Sequence, residues 1–154
     1  MGCKTNQRVT SCVSLYAVWL RVKFLSEYNE LRNLGEGMLP KQFRLKNKAA
    51  FTATYRIKNS FHKNGVTLFA GILKKDPNAP TRVGFVVSKK THKRAVKRNR
   101  LKRLMRESYR LLLKSGNTSN SQNYLSLIFV GGEKALDKNF TEMQNIIKNL
   151  LERL

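Results

Sequence analysis

Acidic residues are scarce in this chain, and their scarcity limits the chemistry it can perform. Only 9 of its 154 residues are Asp or Glu, against 31 Lys or Arg, so the formal net charge is +22. A protein nuclease that uses two metal ions needs carboxylates gathered around them. From residue 38 onward the acids are scattered: Asp76, Glu107, Glu133, Asp137, Glu142 and Glu152. The sequence therefore predicts no catalytic residue and no metal site in the protein itself.

Cysteine and histidine are also rare, and long apolar runs are missing. Cys3 and Cys12 are the only cysteines, and His62 and His92 lie far from them in the sequence. These residues form neither a disulfide framework nor a zinc-ligand spacing. No run of 18 apolar residues is present to span a bilayer. The composition fits a reducing cytoplasm and one domain with a modest core.

Positive charge is what the chain has in excess, and it is densest in residues 88–106. Ten of these nineteen residues are Lys or Arg, and none is acidic. At about 100° per residue, a helix here has one apolar side, formed by Leu101, Leu104, Met105, Leu111 and Leu112. Nearly opposite runs a row at i, i+4 spacing, Arg98, Lys102, Arg106 and Arg110, with Asn99 and Arg103 beside it. Only Glu107 interrupts this row, where an ion pair with a neighbouring Arg is expected.

The basic row predicts a polyanionic partner. Like charges at i, i+4 repel by a few tenths of a kcal/mol per pair, and a polyanion offsets that cost. The apolar side docks the helix on a core and holds the cations outward. A nucleic acid is the favoured partner over a membrane surface.

Residues 1–37 differ from the rest of the chain. They hold 5 basic and 3 acidic residues, which leaves 26 basic and 6 acidic residues, a net charge of +20, in residues 38–154. Three interpretations of this segment remain open: a signal peptide, an additional helix, or an artefact of start-site assignment. We favour the last, because codons for Gly35, Glu36 and Gly37 can contain a purine-rich ribosome-binding sequence before Met38. The predicted division is an extra segment, 1–37, and a domain, 38–154.

A helix is predicted from Leu45 to Lys58, and its orientation has two interpretations. In the first, an i, i+4 row faces the core, formed by Leu45, Ala49, Ala53 and Ile57. Phe51 and Tyr55 then face outward near Lys48 and Lys58, as suits stacking of unpaired bases. In the second, the aromatic residues form the core and the alanines form the surface.

The remaining pattern predicts three strands and a terminal helix. The strands are residues 66–73, 82–88 and 124–130, and the first two are expected to pair antiparallel across the polar loop 74–80. Val83, Phe85 and Val87 should point to one side, and Gly84, Val86 and Ser88 to the other. Gly84 either admits a close approach by RNA or serves packing. A polar linker, 115–123, ends the basic helix. The terminal helix has an apolar stripe of Phe140, Met143, Ile147, Leu150, Leu151 and Leu154.

Two segments together resemble the bacterial ribonuclease P protein subunit. The first is Arg82-Val83-Gly84-Phe85-Val86-Val87-Ser88-Lys89-Lys90, and the second is Arg98-Asn99-Arg100-Leu101-Lys102-Arg103-Leu104-Met105-Arg106-Glu107-Ser108-Tyr109-Arg110. In that family a strand ending in Ser-Lys-Lys leads into a helix bearing Arg-Asn-Arg-x-[Lys/Ile]-Arg. The resemblance extends from about residue 38 to the end of the chain.

The resemblance implies a fold and a set of site residues. The fold is α+β, a single domain with one mixed β-sheet packed by helices and an unusual left-handed βαβ crossover around the basic helix (ribosomal protein S5 domain 2-like). The catalytic RNA subunit would bind Lys89, Lys90, Arg94, Arg98, Asn99, Arg100, Lys102, Arg103 and Arg106. The 5′ leader of precursor tRNA would bind Phe51, Tyr55, Lys48, Lys58 and Phe69.

The resemblance also implies a function. The protein would be the accessory subunit of a cytoplasmic endoribonuclease that removes the leader from precursor tRNA. Catalysis and the magnesium ions would belong to the RNA subunit, with one protein per RNA and no membrane partner. A ribosomal or other structural RNA-binding protein is the alternative. A DNA-binding helix protein comes third, because no helix-turn-helix partner or dimerisation segment is evident.

Overall fold

A four-stranded sheet organises the computed structural model, which describes residues 39–76, 78–116, 118 and 120–154. Within these residues the helices are α1 (Lys48–Arg56), α2 (Ala95–Lys114) and α3 (Phe140–Glu152). The strands are β1 (Ser60–Lys63), β2 (Val66–Ala70), β3 (Arg82–Val87) and β4 (Ser126–Gly131). The predicted N-terminal segment, 1–37, lies outside the described residues, so its three interpretations stay open.

The strand order is β1-β2-β4-β3, with β2 antiparallel to both neighbours and β3 parallel to β4. The predicted antiparallel pairing of residues 66–73 with residues 82–88 is therefore wrong. β4 lies between those two strands because it carries the most apolar run of the sheet. Its residues Leu127, Ile128 and Phe129 are all fully buried, which favours the centre of a sheet covered on both faces.

The strand β1 was not predicted, although the sequence contains a signal for it. β1 pairs with β2 through a tight turn at Asn64-Gly65. Both turn residues have positive φ, 45° at Asn64 and 84° at Gly65. Asn-Gly is the preferred pair for a two-residue hairpin turn with this geometry. The short, polar β1 then forms the exposed edge of the sheet.

One face of the sheet packs against α2 and α3. Phe85 on β3, Phe129 on β4 and Tyr109 on α2 form an aromatic cluster with ring centroids 5.6–6.2 Å apart. Tyr109 is fully buried, and burial raises its pKa to about 12. The connection β3–α2–β4 joins two parallel neighbouring strands, so the predicted βαβ crossover around the basic helix is confirmed. Its left hand stays a prediction from the resemblance.

The other face of the sheet packs against α1, and here the favoured orientation was wrong. Ala49 and Ala53 are exposed, and Ile57 is 40% exposed. The helix instead turns Phe51 and Tyr55 toward the sheet, because two rings bury far more apolar surface than two alanines.

The start of α1 also differs from the prediction. The side chain of Asn47 caps the helix by accepting a hydrogen bond from the backbone N–H of Ala49 at 3.0 Å. Leu45 precedes this cap in an extended segment, where its N–H donates to the carbonyl of Val83 at 2.9 Å. Leu45 is buried, so it belongs to the core but not to a helical row. The side chain of an Asn is a preferred N-cap, and it marks the helix start more sharply than the apolar spacing does.

The terminal helix α3 agrees with its prediction. It starts with a capping box between Asn139 and Glu142, in which the backbone N–H of Asn139 and the Lys138 ammonium lower the pKa of the Glu142 carboxyl. Its buried residues are Met143, Ile146, Ile147, Leu150 and Leu151. Phe140 and Leu154, near its two ends, are half-buried. The described residues thus form a single α+β domain.

Candidate nucleic-acid interface

The basic helix α2 docks through an apolar stripe that is rotated from the predicted one. Tyr109 and Leu113, which the predicted stripe does not include, are buried, whereas Leu104 and Leu111 are only half-buried. This rotation brings the buried side closer to the predicted basic row. Of that row, Arg98, Lys102 and Arg106 are half-buried. The prediction that they lie nearly opposite the core was therefore wrong, and they lie on its flank.

The most exposed cations of the predicted site lie elsewhere on α2 and in the turn before it. These side chains, together with Asn99, extend into solvent: Lys89, Lys90, Arg94, Arg100 and Arg103. The turn is held by the Ser88 side chain, whose Oγ accepts a hydrogen bond from the Lys90 N–H at 3.2 Å. The charged surface thus continues from the end of β3 into α2 without an acidic residue.

Arg98 anchors the segment that leads into α2. Its Nη1 donates to the carbonyl oxygens of His92 at 2.8 Å and Lys93 at 2.6 Å. The His92 ring assists, because its Nδ1 accepts a hydrogen bond from the backbone N–H of Arg94 at 3.1 Å. Arg98 therefore positions the basic surface in addition to carrying charge. His92 is a local cap and has no acidic partner within the described residues.

Glu107 pairs with Arg110, as the sequence predicted. The contact is bidentate: Nε of Arg110 lies 3.1 and 3.0 Å from the two carboxylate oxygens, and Nη2 lies 2.6 Å from Oε1. An i, i+3 pair on a helix surface contributes only a few tenths of a kcal/mol. Its larger effect is on the local field, since it neutralises the only carboxylate of α2.

A second surface lies between α1 and the sheet. The rings of Tyr55 and Phe69 meet edge to face, with centroids 5.0 Å apart. Phe51 lies over Gly84, where an added Cβ would come within 2.7 Å of the ring. The packing interpretation of Gly84 is therefore confirmed, and the space is filled by Phe51 instead of an approaching RNA. All three rings keep an exposed part, so they present an accessible aromatic surface where α1 meets the sheet, called the aromatic cleft below.

A buried polar contact holds α1 against the sheet. The Thr54 and Ser126 hydroxyls lie 2.7 Å apart in a buried hydrogen bond between α1 and β4. Burial raises the pKa of the Tyr55 phenol, which stays protonated at neutral pH and can donate a hydrogen bond. Lys48, in the first turn of α1, lies three residues before Phe51, and Lys58 follows the helix with φ 58°. Both lysines are exposed.

Beyond the aromatic residues, the same face of the sheet carries a further row of residues outside the predicted site. The strand register aligns His62, Thr67, Val130 and Val86 on the same face as Phe69. His62 is exposed and the other three are half-buried, and His62 Nδ1 lies 3.0 Å from Thr67 Oγ1. The alternation of β3 already placed Val86 on this face. Thr67 and Val130 are aligned by the pairing of β2 with β4, and only His62 depends on the unpredicted β1.

A metal-binding arrangement is absent from the residues that the structure describes. They contain no group of three or more His, Cys, Asp or Glu side chains close enough to hold an ion. In that same part of the chain no helix is long and apolar enough to cross a membrane.

The fold and the two surfaces define a class: a small, basic α+β RNA-binding protein with a cationic helix on one side of its sheet and an aromatic cleft on the other. A sequence profile of the family Ribonuclease P matches residues 39–154. The chain belongs to this family of ribonuclease P protein components.

Similar proteins agree with that assignment. The ribonuclease P protein component of Clostridium kluyveri is 35% identical over 111 residues, which cover 72% of this chain and 93% of the relative. The component of Clostridium novyi is 36% identical over 116 residues, covering 75% and 96%. A structure of a Staphylococcus aureus RNase P protein mutant matches with a TM-score of 0.61 at 26% identity, covering 73% of this chain and 88% of the other. The RNase P protein of Thermotoga maritima shares the fold, with a TM-score of 0.57 at 22% identity over 72% and 96%.

Proposed function

We propose that this protein is the accessory subunit of ribonuclease P, in which it binds the catalytic RNA and the 5′ leader of precursor tRNA. The RNA subunit is assigned to the basic surface of α2 and the turn before it. The leader is assigned to the aromatic cleft between α1 and the sheet. Removal of the leader then gives the mature 5′ end of the tRNA.

The observation that carries this proposal is the placement of the two surfaces on one sheet. On one face of β3, Gly84 packs against Phe51 of α1. On the other face, Phe85 packs against Tyr109 of α2. The end of the same strand continues into Ser88, Lys89 and Lys90. A leader in the cleft and an RNA on α2 would therefore be held by one rigid unit.

The chemistry of cleavage is assigned to the RNA subunit. The described residues do not fit a magnesium site, as noted above, so the ions would be held by the RNA and its substrate. Three of the six acids from residue 38 onward are engaged in ion pairs with a basic residue three or four positions away along the chain, Glu107, Glu142 and Glu152. The protein contributes binding and screening of phosphate repulsion, both of which lower the concentration of cations that the RNA needs. We further propose one protein per RNA and a cytoplasmic location.

A site for the leader must bind leaders of different nucleotide sequence, and the aromatic cleft can do so. Every base has a π-face, so stacking on Phe51, Tyr55 or Phe69 binds leaders of different sequence at about 1–3 kcal/mol per base. Lys48 and Lys58, at the two ends of α1, would contact the adjoining phosphates. Mature tRNA lacks a leader and would not use this cleft.

The test is cleavage of a precursor tRNA at low magnesium concentration. The RNA subunit from the same genome is assayed alone and then with the protein added. We expect cleavage to be slow without the protein and strongly stimulated with it, while the protein alone cuts nothing. Binding to the RNA subunit without any stimulation would favour a purely structural RNA-binding protein. Cleavage by RNA-free protein, abolished by replacing an acid, would contradict the assignment of catalysis to the RNA.

A further inference from the structure

A groove of about 520 Å³ lies between the first half of α2 and the start of α3, outside the aromatic cleft. Its apolar lining comes from Val96, Leu104 and Phe140, and its rim carries Asn99, Arg100 and Arg103. Val96 is 79% exposed. Leu104 and Phe140 are half-buried, so each presents part of its side chain to the groove.

The composition of this groove is unusual for a surface that binds only phosphates. A phosphate contact needs cations and gains nothing from a valine, a leucine and a phenylalanine. A single exposed apolar residue needs no explanation, but here the exposed Val96 shares one concavity with the half-buried Leu104 and Phe140, beside the most basic of the described helices. Arg guanidinium planes and aromatic rings both stack on nucleobases. The apolar lining and the cationic rim together match a nucleotide whose base is unstacked and whose phosphates lie outside.

The one carboxylate of the groove does not oppose this ligand. Glu107 also lines the groove, and an unpaired carboxylate there would repel RNA. Its oxygens are held by Arg110 at 2.6–3.1 Å, so its charge is compensated within α2. The volume lies in the range of roughly 300–1,000 Å³ that ligand sites have, and it accommodates one nucleoside.

We propose that this groove receives a single unpaired base of the RNA subunit, extruded from its own stack, while Arg100 and Arg103 contact the flanking phosphates. The inference rests on the proposed function, because it takes the RNA subunit as the partner of α2. The groove would add an apolar contact to a base of the RNA. Without it, the surface of α2 would bind the RNA only through its charge. Val96 and Phe140 would then contribute to affinity without contributing to its salt dependence.

The first test separates apolar from ionic contacts by salt titration of binding to the RNA subunit. Val96→Asn removes the exposed apolar side chain without changing charge, and Leu73→Asn is a matched control at a residue that is 63% exposed outside the groove. We expect Val96→Asn to weaken binding about tenfold, within the range for one stacked base, with an unchanged log–log salt slope. Arg103→Gln should instead lower the slope by about 0.7–0.9. The control should bind like the wild type.

The second test identifies the occupant directly. A photoreactive benzophenone amino acid at position 96 should cross-link, in the holoenzyme, to one unpaired nucleotide of the RNA subunit. Cross-links to precursor tRNA or to another protein molecule would overturn the assignment. Equal affinities of Val96→Asn and the wild type would also overturn it while leaving the proposed function intact. Failure of the wild type itself to bind the RNA subunit would remove the proposed function and this inference together.

Discussion

At the scale of single residues, two arginines of the same motif have different roles. Arg98 is half-buried and holds the carbonyls of His92 and Lys93, whereas Arg103 is exposed. A sequence motif gives both residues the same letter and the same charge. It does not show which guanidinium is used to fix the local backbone, because that depends on where the preceding turn places its carbonyl groups.

Methionine replacements should separate these roles. Arg98→Met keeps the apolar stem but removes both hydrogen bonds, so we expect the free energy of unfolding to fall by about 1 kcal/mol. Arg103→Met should change it by less than about 0.5 kcal/mol, as is usual at exposed positions, yet lower the salt slope of RNA binding. Thermal unfolding and salt-dependent binding measure the two effects. Equal stability of both variants would show that Arg98 does not anchor the turn.

Gly84 illustrates a second role that depends on contacts across the sheet. An alanine Cβ at this position would lie 2.7 Å from Cε1 and Cζ of Phe51, so the ring would have to move. Overpacking of this kind costs roughly 1–3 kcal/mol. We expect Gly84→Ala to weaken binding of leader-bearing tRNA in the holoenzyme while binding of mature tRNA is retained. A loss of stability without any change in leader binding would mean that Phe51 serves only the core.

At the scale of elements, the sequence predicted the existence of helices and strands better than their partners. The basic helix, the terminal helix and the βαβ crossover were found, because their periodicity is long or their motif is specific. The pairing of residues 66–73 with 82–88 failed because neighbours along the chain are usually, but not always, neighbours in a sheet. The strand β1 was missed because it is short and polar, although the pair Asn64-Gly65 indicates a hairpin turn.

The face of α1 could not be decided from its sequence, because both candidate rows recur at i, i+4. Contacts with the sheet select the orientation in which Phe51 and Tyr55 face inward. Gly84 leaves room for the Phe51 ring, and the Ser126 hydroxyl forms a hydrogen bond with that of Thr54. Half-burial is also why the site prediction can hold although the predicted orientation was wrong. One side of each ring, Phe51 and Tyr55, packs against the sheet, and the other side remains accessible in the aromatic cleft.

Substitutions on the two sides of α1 should behave differently. Replacing Phe51 and Tyr55 by Ala should weaken binding of precursor tRNA by roughly 1–3 kcal/mol for each stacked base lost. Mature tRNA should bind nearly as before, and the RNA subunit should still assemble. Ala49→Ser and Ala53→Ser on the exposed side of the same helix are the matched controls and should have no effect. Equal losses for both tRNAs would place the leader outside this cleft.

At the scale of the whole molecule, charge and fold are concentrated in the same part of the chain. Residues 38–154 carry a net charge of +20 of the total +22. The family match spans residues 39–154, and helices cover both faces of the sheet within it. The ionic attraction to RNA, the basic surface, the aromatic cleft and the α2–α3 groove therefore all belong to this part.

A protein that starts at Met38 should accordingly be as stable and as active as the full chain. We expect its melting temperature to be unchanged and its stimulation of precursor tRNA cleavage at low magnesium to equal that of the full chain. The salt slope of binding to the RNA subunit should also be the same, since residues 1–37 contribute a net charge of only +2. Circular dichroism and the reconstituted cleavage assay measure these quantities side by side. A melting temperature lower by several degrees would show that residues 1–37 stabilise the domain, and the start-site interpretation would then be wrong.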